Sequence, residues 1–533
     1  MQKPDESLLE RQRFLRDVSA DLSPAFAERA RTMWTLSTTG TPEAATAFAE
    51  ANLAVDKALS NGEVYLNARR LLQDGPCEEP DLDRQLDVLT RMMAGRQAEP
   101  SLRAELIGKE AALRQVYGSH RAQVDGQSHS INEIERILGE SDDQVLRQKA
   151  WEGSKQVGDD VREQVIEIVE LRNEVARSLG YRDHYAMSLE LQELSEEKLF
   201  ATLTKLEKAT RTPFRTRKAV YDAELSKRFD VPAGELMPWH YSNPYFQRVK
   251  VPDSLKLDQH YGQADIVELA ERFFDGLGMN VRDVVERSDL EPREGKDQHA
   301  FCLAVDRDRD IRVLCNIRPS ERWMCTTLHE LGHAAYDRYI DQPWLLARPS
   351  HTLMTEAVAM LMGRQSTELE FLLRYMKLPA FEVTPLSGEI RRHQCFKMQT
   401  FTRFVLVMTH FERALYANPR REDLDAYWWE LKNKYQLLNV PEGRGADWAA
   451  KRHLALSPVY YHNYLYGEMA ASQLRHVILE KSRESSIVDS LFAGQFLING
   501  LFKAGNSERW DKQLERITGE ELNSQYFVRE FTG

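Results

Sequence analysis

Little in this 533-residue chain belongs to a secreted scaffold, a membrane protein or a nucleic-acid binder. Five cysteines (Cys77, Cys302, Cys315, Cys325, Cys395) are too few and too scattered for a disulfide framework. No C-x-x-C pair is present, which argues against a cysteine zinc site. No stretch approaches the roughly 18 uninterrupted apolar residues of a membrane span, so no membrane partner is expected. Basic residues are the minority: 71 Lys and Arg against 83 Asp and Glu leave a net charge of -12, which argues against nucleic acid as a partner. Met1–Ser7 carries no charged segment followed by an apolar run, so no secretory signal is read and the expected compartment is the cytoplasm. Repeats and low-complexity tracts are also missing.

What is present is the apolar periodicity of helices. Residues 1–125 read as an N-terminal helical region with breaks near Pro24, Gly40-Thr-Pro42, Gly62 and Gly75-Pro76. Residues 126–533 read as one large unit. Its clearest helix runs from Asp160 to Leu179 with Gly180 as a C-terminal cap, and another follows an N-cap at Ser195. Four prolines (Pro232, Pro238, Pro244, Pro252) and five aromatics fill residues 231–262, which reads as a long loop or short helices. His299–Val305 and Ile311–Ile317 flank Asp306-Arg-Asp-Arg-Asp310 as a β-hairpin that brings the thiols of Cys302 and Cys315 near each other. Pro343 and Pro349 mark a loop, and residues 386–530 are helical again. The expected fold is therefore mainly α with one short hairpin.

One stretch carries chemistry. Thr326-Thr-Leu-His-Glu-Leu-Gly-His-Ala-Ala-Tyr336 contains an H-E-x-x-H pattern. On a helix, His329 and His333 lie one turn apart on one face and can present two imidazoles to one metal ion. Glu330 lies beside that face as a general base. A surface helix with two solvated histidines would match the motif too, but Leu328, Leu331, Ala334 and Ala335 mark the helix as buried. Catalytic zinc takes three protein ligands, and Glu356 is the nearest candidate for the third. It stands among Leu353, Met354, Ala357, Val358, Met360 and Leu361, where a buried carboxylate needs a cation. Two His and one Glu suit Zn2+, one ion per chain.

A further group lies near the C-terminus: Lys451, His453, Tyr461 and Tyr464. The two tyrosines are spaced i, i+3 and share a helix face, where they offer two phenolic donors or pack as an aromatic stripe.

These segments, in this order, resemble the angiotensin-converting-enzyme family of gluzincin peptidases. The likeness extends to Gln342-Pro-Trp-Leu-Leu346, Glu356-Ala-Val358, Leu171–Tyr181, Arg272–Gly278 and the strand Ile311–Cys315, and covers residues 160–475. The resemblance implies a two-lobed helical ellipsoid with a deep central cleft, lidded by the N-terminal helices. It makes His329, His333 and Glu356 zinc ligands and Glu330 the base. It makes Tyr464 an oxyanion donor with His453 assisting, and Lys451 and Tyr461 the holders of a peptide's C-terminal carboxylate. The implied activity is release of C-terminal dipeptides from short peptides. Departures are visible as well. The family's acidic residue four positions after the glutamate ligand is Met360. Two chloride-site arginines appear as Asn463 and Asn433, the histidine of the substrate-binding strand appears as Leu303, and the carboxylate-binding glutamine has no evident counterpart. Around Tyr461, Tyr464 and Gly467 the chain is also similar to thimet oligopeptidase and oligoendopeptidase F, which implies an endo-oligopeptidase instead. A non-peptidase zinc hydrolase, or a helical binding scaffold without activity, are the readings from other classes.

Overall fold

The computed structural model describes residues 6–255 and 257–532. Met1–Asp5, the larger part of the segment in which no leader was read, lie outside the described residues. The fold is mainly α, with two two-stranded sheets among the described residues. Contacts group the chain into two units, each built from three separate segments. The first takes Met1–Gln97, Leu255–Ile390 and Tyr466–Phe527; the second takes Ala98–Ser254, Arg391–Leu465 and Val528–Gly533. The contacts thus cut the N-terminal part at residue 97 rather than near 125 and divide the remainder between both units. Neither grouping is visible to composition, because it depends on which distant segments touch. No helix among the described residues is long and apolar enough to cross a membrane.

The first unit opens with four helices, Glu6–Thr39, Pro42–Leu59, Gly62–Gln73 and Pro80–Ala94. Leu15, Val18, Leu22 and Phe26 recur at helical spacing and pack with Val55, Leu59, Leu71, Leu82, Leu86 and Leu89 into one core. Each such fully buried leucine contributes about 2 kcal/mol. Thr41 and Asn61 cap two of these helices through side-chain oxygens. The expected break at Pro24 is absent: Glu6–Thr39 is continuous with Pro24 inside it. Proline removes one backbone bond, and the buried stripe on either side holds the helix through that loss.

Strands β1 (Ala122–Val124) and β2 (Gln127–His129) form an antiparallel hairpin in the second unit that sequence reading missed. Its Asp125-Gly126 turn has both φ angles positive, 51° and 77°, the turn that an Asp-Gly pair favours. The expected Asp160 helix begins earlier and spans Gln144–Ser178, ending at Gly180 with φ 90°. Ser195 caps Glu196–Phe229 by accepting from the Lys198 N–H. Residues 231–262 form three 3-10 turns and the short helix Asp258–Tyr261, as the prolines require.

The hairpin in the first unit consists of β3 (Phe301–Ala304) and β4 (Ile311–Leu314). Asp306 closes its turn by accepting three backbone N–H groups, from Asp308, Arg309 and Asp310. The register pairs Cys302 with Val313, two residues before Cys315, and none of the five cysteines forms a disulfide.

Gly158 shows how closely the second unit is packed. A Cβ there would stand 2.3 Å from the Ala446 carbonyl oxygen and 2.9 Å from the Ala450 nitrogen, in the segment leading to Lys451. Gly158→Ala is expected to destabilise the protein by about 2 kcal/mol. Urea unfolding followed by far-ultraviolet circular dichroism checks this; an unchanged first midpoint would contradict it.

Candidate metal centre and active site

Two helices of the first unit build the metal centre. The motif helix, Glu321–Arg338, starts at Ser320, whose hydroxyl accepts from the Trp323 N–H. The glutamate helix, Thr352–Gly363, starts at His351, whose ring nitrogen accepts from the Leu353 N–H. They cross at glycines. A Cβ on Gly332 would lie 3.0 Å from Ala359 Cα, and one on Gly363 would lie 3.2 Å from the Cys325 carbonyl oxygen and 3.4 Å from His329 Cβ. Bulkier residues at either position would push the helices apart.

This crossing carries Glu356 to the two histidines. One donor atom from each of His329, His333 and Glu356 lies within 4.8 Å of the others. Glu356 Oε2 stands 3.8 Å from His329 Nε2, and the His329 and Glu356 side chains keep 27% and 18% of their surface. His333 Nδ1 is taken up by Thr355 Oγ1 at 2.7 Å, which leaves Nε2 for a ligand.

The electrostatics fit a cation. Burial pushes His329 down to about 4 and His333 to about 3, the latter also through His329, so both rings are neutral. Glu356 is pushed up to about 7 by burial and by the charge of Glu468. Glu330 is pushed up to about 8 by burial and then by Glu356, against a hydrogen bond from the Cys302 backbone N–H of β3. Two neutral imidazoles and the enclosed Glu356 carboxyl form a donor set for a divalent metal, with the Glu330 carboxyl beside it.

The second constellation lies in the second unit. Lys451 Nζ donates to Gln247 Oε1 at 3.0 Å, and the Tyr461 hydroxyl donates to the same oxygen at 2.8 Å. His453 stacks edge-on to Tyr461 at 5.2 Å, and Tyr464 to Tyr461 at 5.5 Å. His453 Nδ1 is buried without a hydrogen-bond partner. Burial brings Lys451 down to about 7, helped by Arg248. Lys451, His453, Tyr461 and Tyr464 are thus one cluster.

Gln247 is the residue that sequence reading missed. It sits in the proline-rich loop, where Asn243 Oδ1 accepts the N–H groups of Tyr245 and Gln247 and Phe246 takes φ 49°. An Asn-Pro start signals the turn, but nothing in the order of residues ties Gln247 to Lys451, 204 positions away. The asparagines at the chloride-site positions have local roles. Asn463 donates to Gln192 Oε1 at 2.6 Å and Asn433 to the Leu438 carbonyl at 3.0 Å. Beside Asn433, Lys432 is buried and donates to the Tyr245 carbonyl. It shares the wall of a small cavity with Lys155, whose ammonium lies 3.3 Å from the Tyr245 ring centroid, and Asp447 is the single acidic lining residue.

Comparisons with known proteins agree with this geometry. The family Peptidase_M2, described as angiotensin-converting enzyme, matches residues 5–532. Angiotensin-converting enzyme of Sus scrofa is 25% identical over 411 residues, 70% of this chain and 31% of that protein. Its counterpart in Rattus norvegicus is 23% identical over 448 residues, 73% of this chain and 32% of that protein. Angiotensin-converting enzyme-related protein of Drosophila melanogaster is 24% identical over 311 residues, 52% of this chain and 47% of that protein. The matches span less than half the length of these relatives. The family match runs over nearly all of the chain, and the chain belongs to the angiotensin-converting enzyme family of metallopeptidases.

Proposed function

We propose that this chain is a zinc peptidase that takes short peptides and releases dipeptides from their C-termini. The observation that carries the dipeptidase part is the convergence of Lys451 and Tyr461 on one oxygen of Gln247. A cation, a phenol and a primary amide at one point offer several donors to a carboxylate, and an internal peptide bond has no use for the cation.

Zinc held by His329, His333 and Glu356 would supply Lewis acidity at the scissile carbonyl. Glu330 takes a proton from the attacking water as its oxygen bonds to the carbonyl carbon. It then gives that proton to the amine as the C–N bond breaks. A cation held beside Glu330 would favour its carboxylate, the form that can accept the proton. The Tyr464 hydroxyl donates to the developing oxyanion and His453 assists at a substrate carbonyl. Five cysteines outside any disulfide accord with a reducing compartment, and the cytoplasm is part of this reading.

Glu330→Gln is expected to retain zinc and to lose roughly 10²–10⁴-fold in kcat. Metal analysis beside hydrolysis of a peptide library checks this; a wild type that holds zinc and cleaves nothing would leave a binding scaffold. Amidating the substrate C-terminus is expected to cost roughly 10–100-fold in kcat/KM, the worth of a charge-assisted hydrogen bond. Lys451→Met should erase that difference. Equal cleavage of free and amidated peptides by the wild type would favour the endo-oligopeptidase.

The sign of the pH effect follows from Lys451. Above about 7 its amine is neutral in the free enzyme, and a bound carboxylate favours the protonated form. KM for free-acid peptides should therefore rise as pH climbs from 7 to 9, and KM for amidated peptides should not. Calorimetry at pH 8 in buffers of different ionisation enthalpy should register proton uptake on binding, absent in Lys451→Met.

A further inference from the structure

A histidine pair binds a metal only if each ring offers the correct nitrogen in the correct direction. Neutral imidazole carries one proton on either of two nitrogens, and the partner of the non-ligating nitrogen decides which. In many metal sites that partner is a carboxylate. Among the described residues neither ligand histidine has one at that nitrogen. The position one turn after Glu356 is Met360, whose Sδ packs towards Gly467, 3.1 Å from where a Cβ there would stand. The Ala359 carbonyl accepts from the His329 ring. The remaining partner is Thr355 Oγ1, 2.7 Å from His333 Nδ1.

We infer that Thr355 is the positioning residue for His333: its hydroxyl accepts the Nδ1 proton, fixes the tautomer that leaves Nε2 open, and so sets the affinity of the site for zinc. The inference rests on the reading of His329, His333 and Glu356 as metal ligands. Its geometry has three parts. Thr355 immediately precedes Glu356 on the glutamate helix, so one rigid element supplies a ligand and the group that aims another. Thr355 N–H is engaged with the His351 carbonyl at 3.0 Å, which fixes its backbone in the first turn. A β-branched side chain in a helix has few rotamers, so Oγ1 is aimed at little entropic cost. A hydroxyl also differs from a carboxylate in kind. It is neutral and can donate as well as accept. When it donates to Nδ1 the ring proton sits on Nε2, and the histidine cannot ligate. Thr355 therefore holds the ring by a neutral hydrogen bond and accepts from Nδ1 once zinc takes Nε2, without the charge that would make the ring more basic.

The test is zinc affinity, measured by competition with a chromophoric chelator on the full chain. Thr355→Val keeps the shape and removes the hydroxyl; Thr355→Ala removes it with no risk of a clash; Thr355→Ser keeps it. Val and Ala variants are expected to bind zinc roughly 10–100-fold more weakly, and the Ser variant within about threefold of wild type. Metal-free melting temperatures should match across the series, which separates aiming of the ring from general loss of packing. Wild-type affinity in both the Val and Ala variants would overturn the inference, as would a Ser variant as weak as Val. His333→Ala keeps the two readings apart. If it abolishes binding while Val and Ala bind normally, only the role of Thr355 falls. If it binds like wild type, the ligand assignment falls.

Discussion

The close crossing of the motif and glutamate helices is the constraint on which the metal centre depends. Helices packed through large side chains keep their axes some 8–10 Å apart. Here Gly332 meets Ala359, and Gly363 meets the backbone of Cys325. The glycines remove side chains from the contact, so Glu356 reaches the pair of histidines on the neighbouring helix. A third contact repeats the device: a Cβ on Gly467 would lie 3.4 Å from Glu356 Cβ. Small residues therefore surround the glutamate on two sides. Their role is to let backbone approach, and the carboxylate follows from it.

That approach has an electrostatic consequence. Glu330 and Glu356 are enclosed together, and each resists ionisation because of burial first and a neighbouring carboxylate second. Neutral histidines complete the set. Such a cluster is unfavourable by itself in a protein interior and becomes favourable with a divalent cation. The second constellation has the opposite character. Lys451 is an amine held under Tyr245, Phe404 and Tyr461, with the amide oxygen of Gln247 as its hydrogen-bond acceptor. A buried amine that an incoming carboxylate would protonate is suited to that ligand in the way that paired buried carboxyls are suited to a metal.

Much of this could be read from the order of residues because it is local. The i, i+4 spacing of His329 and His333 needs only a helix, and the apolar neighbours of that helix indicate burial. Ser195 as a cap, Gly180 as a terminator, and the strands around Asp306–Asp310 are decided within a few residues. Where local reading failed, a local rule met a tertiary one. Pro24 ought to end a helix, yet the buried stripe from Leu15 to Phe26 carries the helix through it. Asp125-Gly126 did mark a hairpin, but strands of three residues are too short to show alternation.

By itself the sequence determined the helices, the motif and the chemical types of the ligands, since these depend on spacing and on what each side chain is. The resemblance agreed with Glu356 as the third ligand and supplied the roles of Tyr464 and His453 and those at the C-terminal end of the substrate. Only the tertiary structure decided that Gln247 joins Lys451 and Tyr461, that Thr355 and the Ala359 carbonyl aim the histidines where Met360 cannot, and that glycines bring Glu356 within reach. Those are contacts between segments up to 214 positions apart. Their formation depends on how buried surfaces fit together, and a one-dimensional pattern of polar and apolar residues does not encode that fit.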